Sequence, residues 1–174
     1  MTSASMIWKP EWIERSALPH DRRGLARDAE KTPRRPQPGI GWKFAEYEAA
    51  TREIGLPPLP NFIVPNAASS MITCAPDYAR FVAAAMTNTE LHKEQINIRP
   101  ALGWGLGWGI ERIPGGQQYL FQWGDNGGFK NFIAAEPATG EAIFVFTNGD
   151  SGARVYRPIV TRATGHEHPA MDLI

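Results

Sequence analysis

The chain has 174 residues, with 18 basic against 18 acidic side chains, so its formal charge is zero. That balance gives no electrostatic reason to expect nucleic acid or an anionic membrane as a partner. No apolar run approaches the roughly 20 residues needed to span a bilayer, and the single cysteine, Cys74, excludes an internal disulfide and a cysteine-rich metal site.

The length suits one domain that buries roughly 70% of its unfolded surface. Residues 1–10 have neither a charged n-region nor a long apolar h-region, so they are not a signal peptide. The compartment is not fixed by any of these features. Glycine and proline are distributed unevenly. Ten of the 15 prolines lie at or before Pro76, and thirteen of the 17 glycines lie at or after Gly103. The two halves of the chain are therefore different material.

Residues 1–65 form an irregular, proline-rich segment. Arg22, Arg23, Arg27, Lys31, Arg34 and Arg35 alternate with Pro33, Pro36 and Pro38, and no apolar period is sustained. A solvated loop is the plain reading. A basic interaction arm is the sharper one, but Asp21, Asp28 and Glu30 dilute its charge. Phe44, Tyr47, Thr51 and Ile54 suit a short helix over 44–54, ended by Gly55 and Pro57-Pro58. Beyond it, four prolines between 57 and 65 force extended chain. So much irregular chain either wraps something larger or is the remnant of an incomplete domain.

Residues 66–165 are readable. Pro76 suits a first helical position, and Tyr78, Phe81, Val82, Ala85 and Met86 recur on one helical stripe, which predicts a helix over 76–88. Over 104–113, Trp104, Leu106, Trp108 and Ile110 alternate with Gly105, Gly107, Gly109 and Glu111, which predicts one half-buried strand with a glycine-lined face. A face without side chains implies a close neighbour, either a packed layer or a ligand. Pro114-Gly115-Gly116 turns the chain, and Tyr119, Phe121 and Trp123 alternate after it. Asp125 to Gly128 turns it again, a strand runs from Phe129 to Ala135, and residues 137–140 turn it once more. The continuous apolar run of residues 142–146 predicts a strand covered on both faces.

Asn148 to Ser151 then offers a helix cap, and Val155, Tyr156, Ile159, Val160 and Ala163 follow at helical spacing up to Gly165. Pro158 implies that this helix starts near Arg157 or kinks there. Residues 166–174 read as a loose tail. The fold class is thus α+β, with an antiparallel sheet of about four strands and flanking helices.

No phosphate loop, dinucleotide fingerprint, His-Glu-x-x-His or Gly-x-Ser-x-Gly motif occurs, so no cofactor is implied. His166-Glu167-His168 offers only two histidines on a frayed tail, and no metal site is assigned. The stretch Gln122 to Phe129 places a glycine-exposed backbone beside a large aromatic at a strand end. That suits a strand edge offering N–H and C=O groups to a ligand, or a plain Asn-Gly hairpin.

Four blocks in order resemble the serine hydrolases that include class C β-lactamases, related esterases and penicillin-binding proteins. They are Asn66 to Thr73 leading into Asp77-Tyr78-Ala79-Arg80-Phe81, then Leu106-Gly107-Trp108-Gly109, then Gln122 to Phe129, then residues 144–148 ending in Asn148. The resemblance implies the C-terminal part of a β-lactamase/transpeptidase-like fold and a small-molecule amide or ester as substrate. It also implies that Gln122, Trp123 and Gly124 occupy the substrate-strand motif, where the family has Lys-Thr-Gly or His-x-Gly. The N–H of Asp125 is then the oxyanion donor. A one-residue slip, placing Trp123 first in a Trp-Gly-Gly version, is the other alignment. Gln122 removes a charge from the motif, and Trp123 in place of a small hydroxyl residue favours an apolar acyl or ester group over a carboxylate.

The family attacks with the serine of Ser-x-x-Lys and takes its base from Tyr-x-Asn. Neither motif occurs in the 174 residues, so no catalytic residue is assigned. The resemblance implies that Met1 is an internal methionine and that a missing N-terminal polypeptide carries the nucleophile. This chain alone is expected to be inactive. A non-catalytic binding module built on half of the cleft is the alternative. Cys74 as a substitute nucleophile has no evident histidine partner in sequence.

Overall fold

The computed structural model describes residues 3–6, 12, 15–26, 49, 52–53, 71–126 and 128–174. Most of the 44–54 helix, the extended run of residues 57–65 and residues 66–70 of the first block lie outside the described residues, although Ala49, Arg52 and Glu53 are helical. The chain divides into two compact units: Met1–Leu18 with Arg27–Tyr78, and Pro19–Ala26 with Ala79–Ile174.

In the first unit, Ser5 and Ile72 exchange backbone hydrogen bonds at 3.0 and 2.9 Å as an isolated antiparallel bridge. The Ser3 N–H donates to Asp77 Oδ2 at 2.5 Å, and Asp77 is buried. Burial pushes the Tyr78 phenol up to about 12.

Helix α1 (Ala75–Thr87) lies one residue from its predicted bounds. Of its apolar stripe, Val82 and Ala85 are buried, while Phe81 is exposed and stacks on Trp108 with ring centroids 5.9 Å apart. The sheet of the second unit has six antiparallel strands in sequence order, not four. They are β1 (Ile96–Arg99), β2 (Leu102–Trp104), β3 (Gly109–Arg112), β4 (Gln118–Asp125), β5 (Lys130–Glu136) and β6 (Glu141–Thr147).

The single strand expected over 104–113 is two strands and a turn. Leu102 pairs with Glu111 and Trp104 with Gly109, and the Gly105 N–H donates to the Trp108 carbonyl at 2.7 Å. The period-two pattern concealed a hairpin because Gly107, at φ +79°, supplies the left-handed residue that a turn needs. Gly103, Gly105 and Gly109 have protein groups close by, whereas a Cβ on Gly107 would meet nothing within 4 Å among the described residues. A Cβ on Gly103 would strike the Glu94 carboxylate, one on Gly105 the Leu91 carbonyl, and one on Gly109 the Phe121 ring. The Arg112 guanidinium hydrogen-bonded to Glu94 holds that carboxyl below its ordinary range.

Register sorts the side chains into two faces. Leu102, Tyr119, Phe121, Phe132 and Ala134 form a core with Tyr156, Val160, Ala170 and Met171, and Trp104, Trp123, Ile143 and Val145 pack against it half-buried. Phe121 is fully buried, a gain of about 1.5–3 kcal/mol over exposure. From the other face Ile110, Leu120, Ile133 and Ala135 are equally buried.

Strand β6 departs from expectation: Phe146 is exposed and residues 143–145 are only half-buried. Among the described residues it pairs with β5 alone and stands at the end of the strand order, so its apolar run does not mark a central strand there.

Helix α2 (Ala153–Thr164) starts four residues before Arg157 and contains Pro158, which denies the Arg154 carbonyl its helical donor. Its N-cap is Gly152, without a side-chain hydrogen bond, so Asn148 to Ser151 do not cap it. Gly165 closes it as expected, at φ 74° with its N–H on the Thr161 carbonyl.

The tail is ordered. A 3-10 turn spans Pro169–Leu173, and His168, Ala170 and Met171 are buried. Their anchor is Glu111 of β3, wholly buried, which accepts from the Ala170 N–H at 3.0 Å and lies 2.6 Å from His168 Nδ1. A carboxylate at an interior position of a strand needs a partner, and the chain returns 57 residues later to supply it.

Candidate functional site

The predicted substrate strand is the second half of β4. Strand β3 pairs with β4 only as far as Gly109 with Phe121, whereas β5 follows β4 to its end, through Gln122–Ile133, Trp123–Phe132, Gly124–Asn131 and Asp125–Lys130. Among the described residues, these four residues of β4 therefore have a strand on one side only.

Along an antiparallel strand the N–H and C=O of one residue point to the same side, and successive residues alternate. The Asn126 N–H donates across the hairpin to the Phe129 carbonyl at 3.1 Å, which fixes the phase. Trp123 and Asp125 then direct their N–H and C=O groups away from β5, toward the side where β3 has ended. Such an edge can accept an extended ligand, and an N–H at its end can donate to a carbonyl or to a developing oxyanion.

The four predicted residues share this backbone but not one face. Gln122 and Gly124 project to one side of the sheet, Trp123 and Asp125 to the other. The Trp123 indole stacks at 6.2 Å on Phe121 and meets Trp104 edge-on at 5.8 Å. The Asp125 carboxylate forms an ion pair with Lys130 across the strand pair. Gln122 donates through Nε2 to the carbonyl of Gly107. At Gly124 a Cβ would meet only Asn131 Nδ2, at an ordinary 3.7 Å.

Sequence reading did not find Lys130, Asn131 or the Gly107 carbonyl. Asn131 Oδ1 accepts from the Thr147 N–H at 3.1 Å, and Thr147 Oγ1 donates to the Lys130 carbonyl at 2.6 Å, so this pair fixes the floor beneath Gly124. Cross-strand register about the Asp125–Gly128 turn carries the signal for Lys130 and Asn131, whereas the Gly107 carbonyl, in a turn outside the ladder, has none.

Among the described residues no group of three or more histidine, cysteine, aspartate or glutamate side chains could hold a metal ion. His168, one of the paired tail histidines, is buried against Glu111. No described helix is long and apolar enough to cross a membrane.

The family model of Beta-lactamase matches residues 7–165. The chain belongs to the beta-lactamase family. Its antiparallel sheet with flanking helices fits that membership, and so does the serine-hydrolase type of the family. No curated protein matches the chain.

Proposed function

We propose that this beta-lactamase-family chain forms the substrate-strand side of a serine hydrolase cleft, one that cleaves amides or esters through an acyl-serine. In this reading Gln122, Trp123, Gly124 and Asp125 line the substrate strand, the Asp125 N–H stabilises the oxyanion, and the attacking serine is not among residues 1–174. The observation that carries the reading is the open half of β4, where the Asp125 N–H faces away from β5 beyond the end of β3.

Chemistry requires the rest. An acyl-enzyme forms only when a serine hydroxyl loses its proton to a nearby base as it attacks the carbonyl. None of the six serines is followed three residues later by lysine, and none of the four tyrosines begins Tyr-x-Asn. The purified chain is therefore expected to show no turnover of a chromogenic cephalosporin or of p-nitrophenyl acetate. Turnover that vanishes when one of its own serines becomes alanine would overturn the proposal. Ligand binding without turnover, seen at the Asp125 amide by NMR, is the matching positive result.

A further inference from the structure

Gln122 is the first residue of β4 beyond its pairing with β3, and its side chain turns back to the hairpin that joins β2 to β3. That hairpin is closed by two short backbone bonds, Gly105 N–H to Trp108 O at 2.7 Å and Gly107 N–H to Gly105 O at 3.0 Å. Its tip is Leu106, a large apolar side chain left 54% exposed where turns normally carry polar residues. The Gly107 carbonyl is held by the neutral amide of Gln122. Among the described residues, the charges at the end of the open edge are Asp125 and Lys130, which pair with each other.

We infer that Gln122 is a positioning residue that ties the Gly105–Trp108 turn to the start of the open edge. Leu106 thereby forms an apolar wall on the β3 side, and the edge admits an uncharged ester or amide in preference to a carboxylate-bearing one. The selectivity rests on the cleft reading above; the tether does not. The tether keeps the edge free by stopping the turn from folding onto Trp123 and Asp125. Its neutrality gives an incoming carboxylate no cation at position 122, and the described cation at the far end of the edge, Lys130, is already paired with Asp125.

The test uses the full chain, labelled with 15N, and two substitutions. Gln122→Leu removes the donor at similar size. Gln122→Lys keeps a donor for the Gly107 carbonyl and adds a charge. Gln122→Leu is expected to raise the fast backbone mobility of Leu106 and Gly107 while the amides of β5 stay rigid, and Gln122→Lys is expected to restore order.

Titration with methyl hexanoate should move the Asp125 amide of the unmodified protein, and hexanoate should not. Gln122→Lys should bind hexanoate about tenfold more tightly than the unmodified protein does. Unchanged mobility in Gln122→Leu overturns the tether. Equal binding of hexanoate and its ester by the unmodified protein overturns the selectivity. Loosened turns with no Asp125 response to either probe support the tether and overturn both the selectivity and the cleft reading beneath it.

Discussion

The two ends of β4 lie in one strand and meet opposite fates. At Tyr119 and Phe121 the strand has neighbours on both sides, and beyond its flank Glu111 is sealed in with His168. From Gln122 to Asp125 it has, among the described residues, a neighbouring strand on one side, with half-exposed side chains and backbone groups turned outward. Alternation continues unbroken through both halves, although the covered half is Tyr-Leu-Phe and the open half Gln-Trp-Gly-Asp. The difference is where β3 begins: the hairpin at Gly105–Trp108 starts that strand too late to cover its neighbour. An open strand edge can thus be made by a glycine turn that shortens the adjacent strand.

This contrast can be broken at several points. The largest effect should come from Glu111→Ala, which strands buried His168 and the Ala170 N–H; a loss of about 3–5 kcal/mol in urea unfolding is expected. A loss below about 1 kcal/mol would mean that the sealed end is not held by this pair.

Gly109→Ala comes next, at about 1–3 kcal/mol, because the new methyl group meets the fully buried Phe121 ring. Gly124→Ala, on the open half of the same sheet, should cost under about 0.5 kcal/mol, since its neighbour stands at ordinary contact distance. Equal costs at the two glycines would erase the distinction between the ends.

Alkaline titration gives a finer measure. Burial, followed by the nearby Glu136 carboxylate, raises the Tyr119 phenol above its ordinary value. The folded state therefore favours the protonated phenol. That stability is complete below the ordinary tyrosine range and is lost as pH rises through it toward the raised value. Tyr119→Phe should flatten the decline in stability above about pH 10, as followed by unfolding midpoints. An unchanged decline would assign it to other tyrosines, among them Tyr78, which burial also raises.

Much of the second half was legible because its signals are local. The stripe of Val82 and Ala85 gave α1, the alternation of Tyr119, Phe121 and Trp123 gave β4, and Gly165 gave the end of α2. What stayed hidden depends on contacts remote in sequence. Glu111 reads as the polar face of a strand until His168 arrives to cover it. Gly103 to Gly109 satisfies period two whether the chain runs straight or doubles back, and only pairing to β4 decides. The candidate site was legible as a stretch but not as a geometry: residue spacing marked Gln122 to Asp125, yet could not say that alternate side chains serve opposite faces. Pro158 does not delay the helix: it is the sixth of its twelve residues and removes the one bond that would reach the Arg154 carbonyl.

Strand β1 carries a consequence of its own. All four of its residues are exposed, including Ile96 and Ile98, and it stands at the outer margin of the sheet. Flat apolar margins recruit further chains and seed aggregates. Here the register slips between Asn97 and Arg99, and Arg99 is drawn to the Pro169 carbonyl at 2.8 Å. An irregularity that twists such a border, with a cation fastened at its end, makes it a poor template for intermolecular growth.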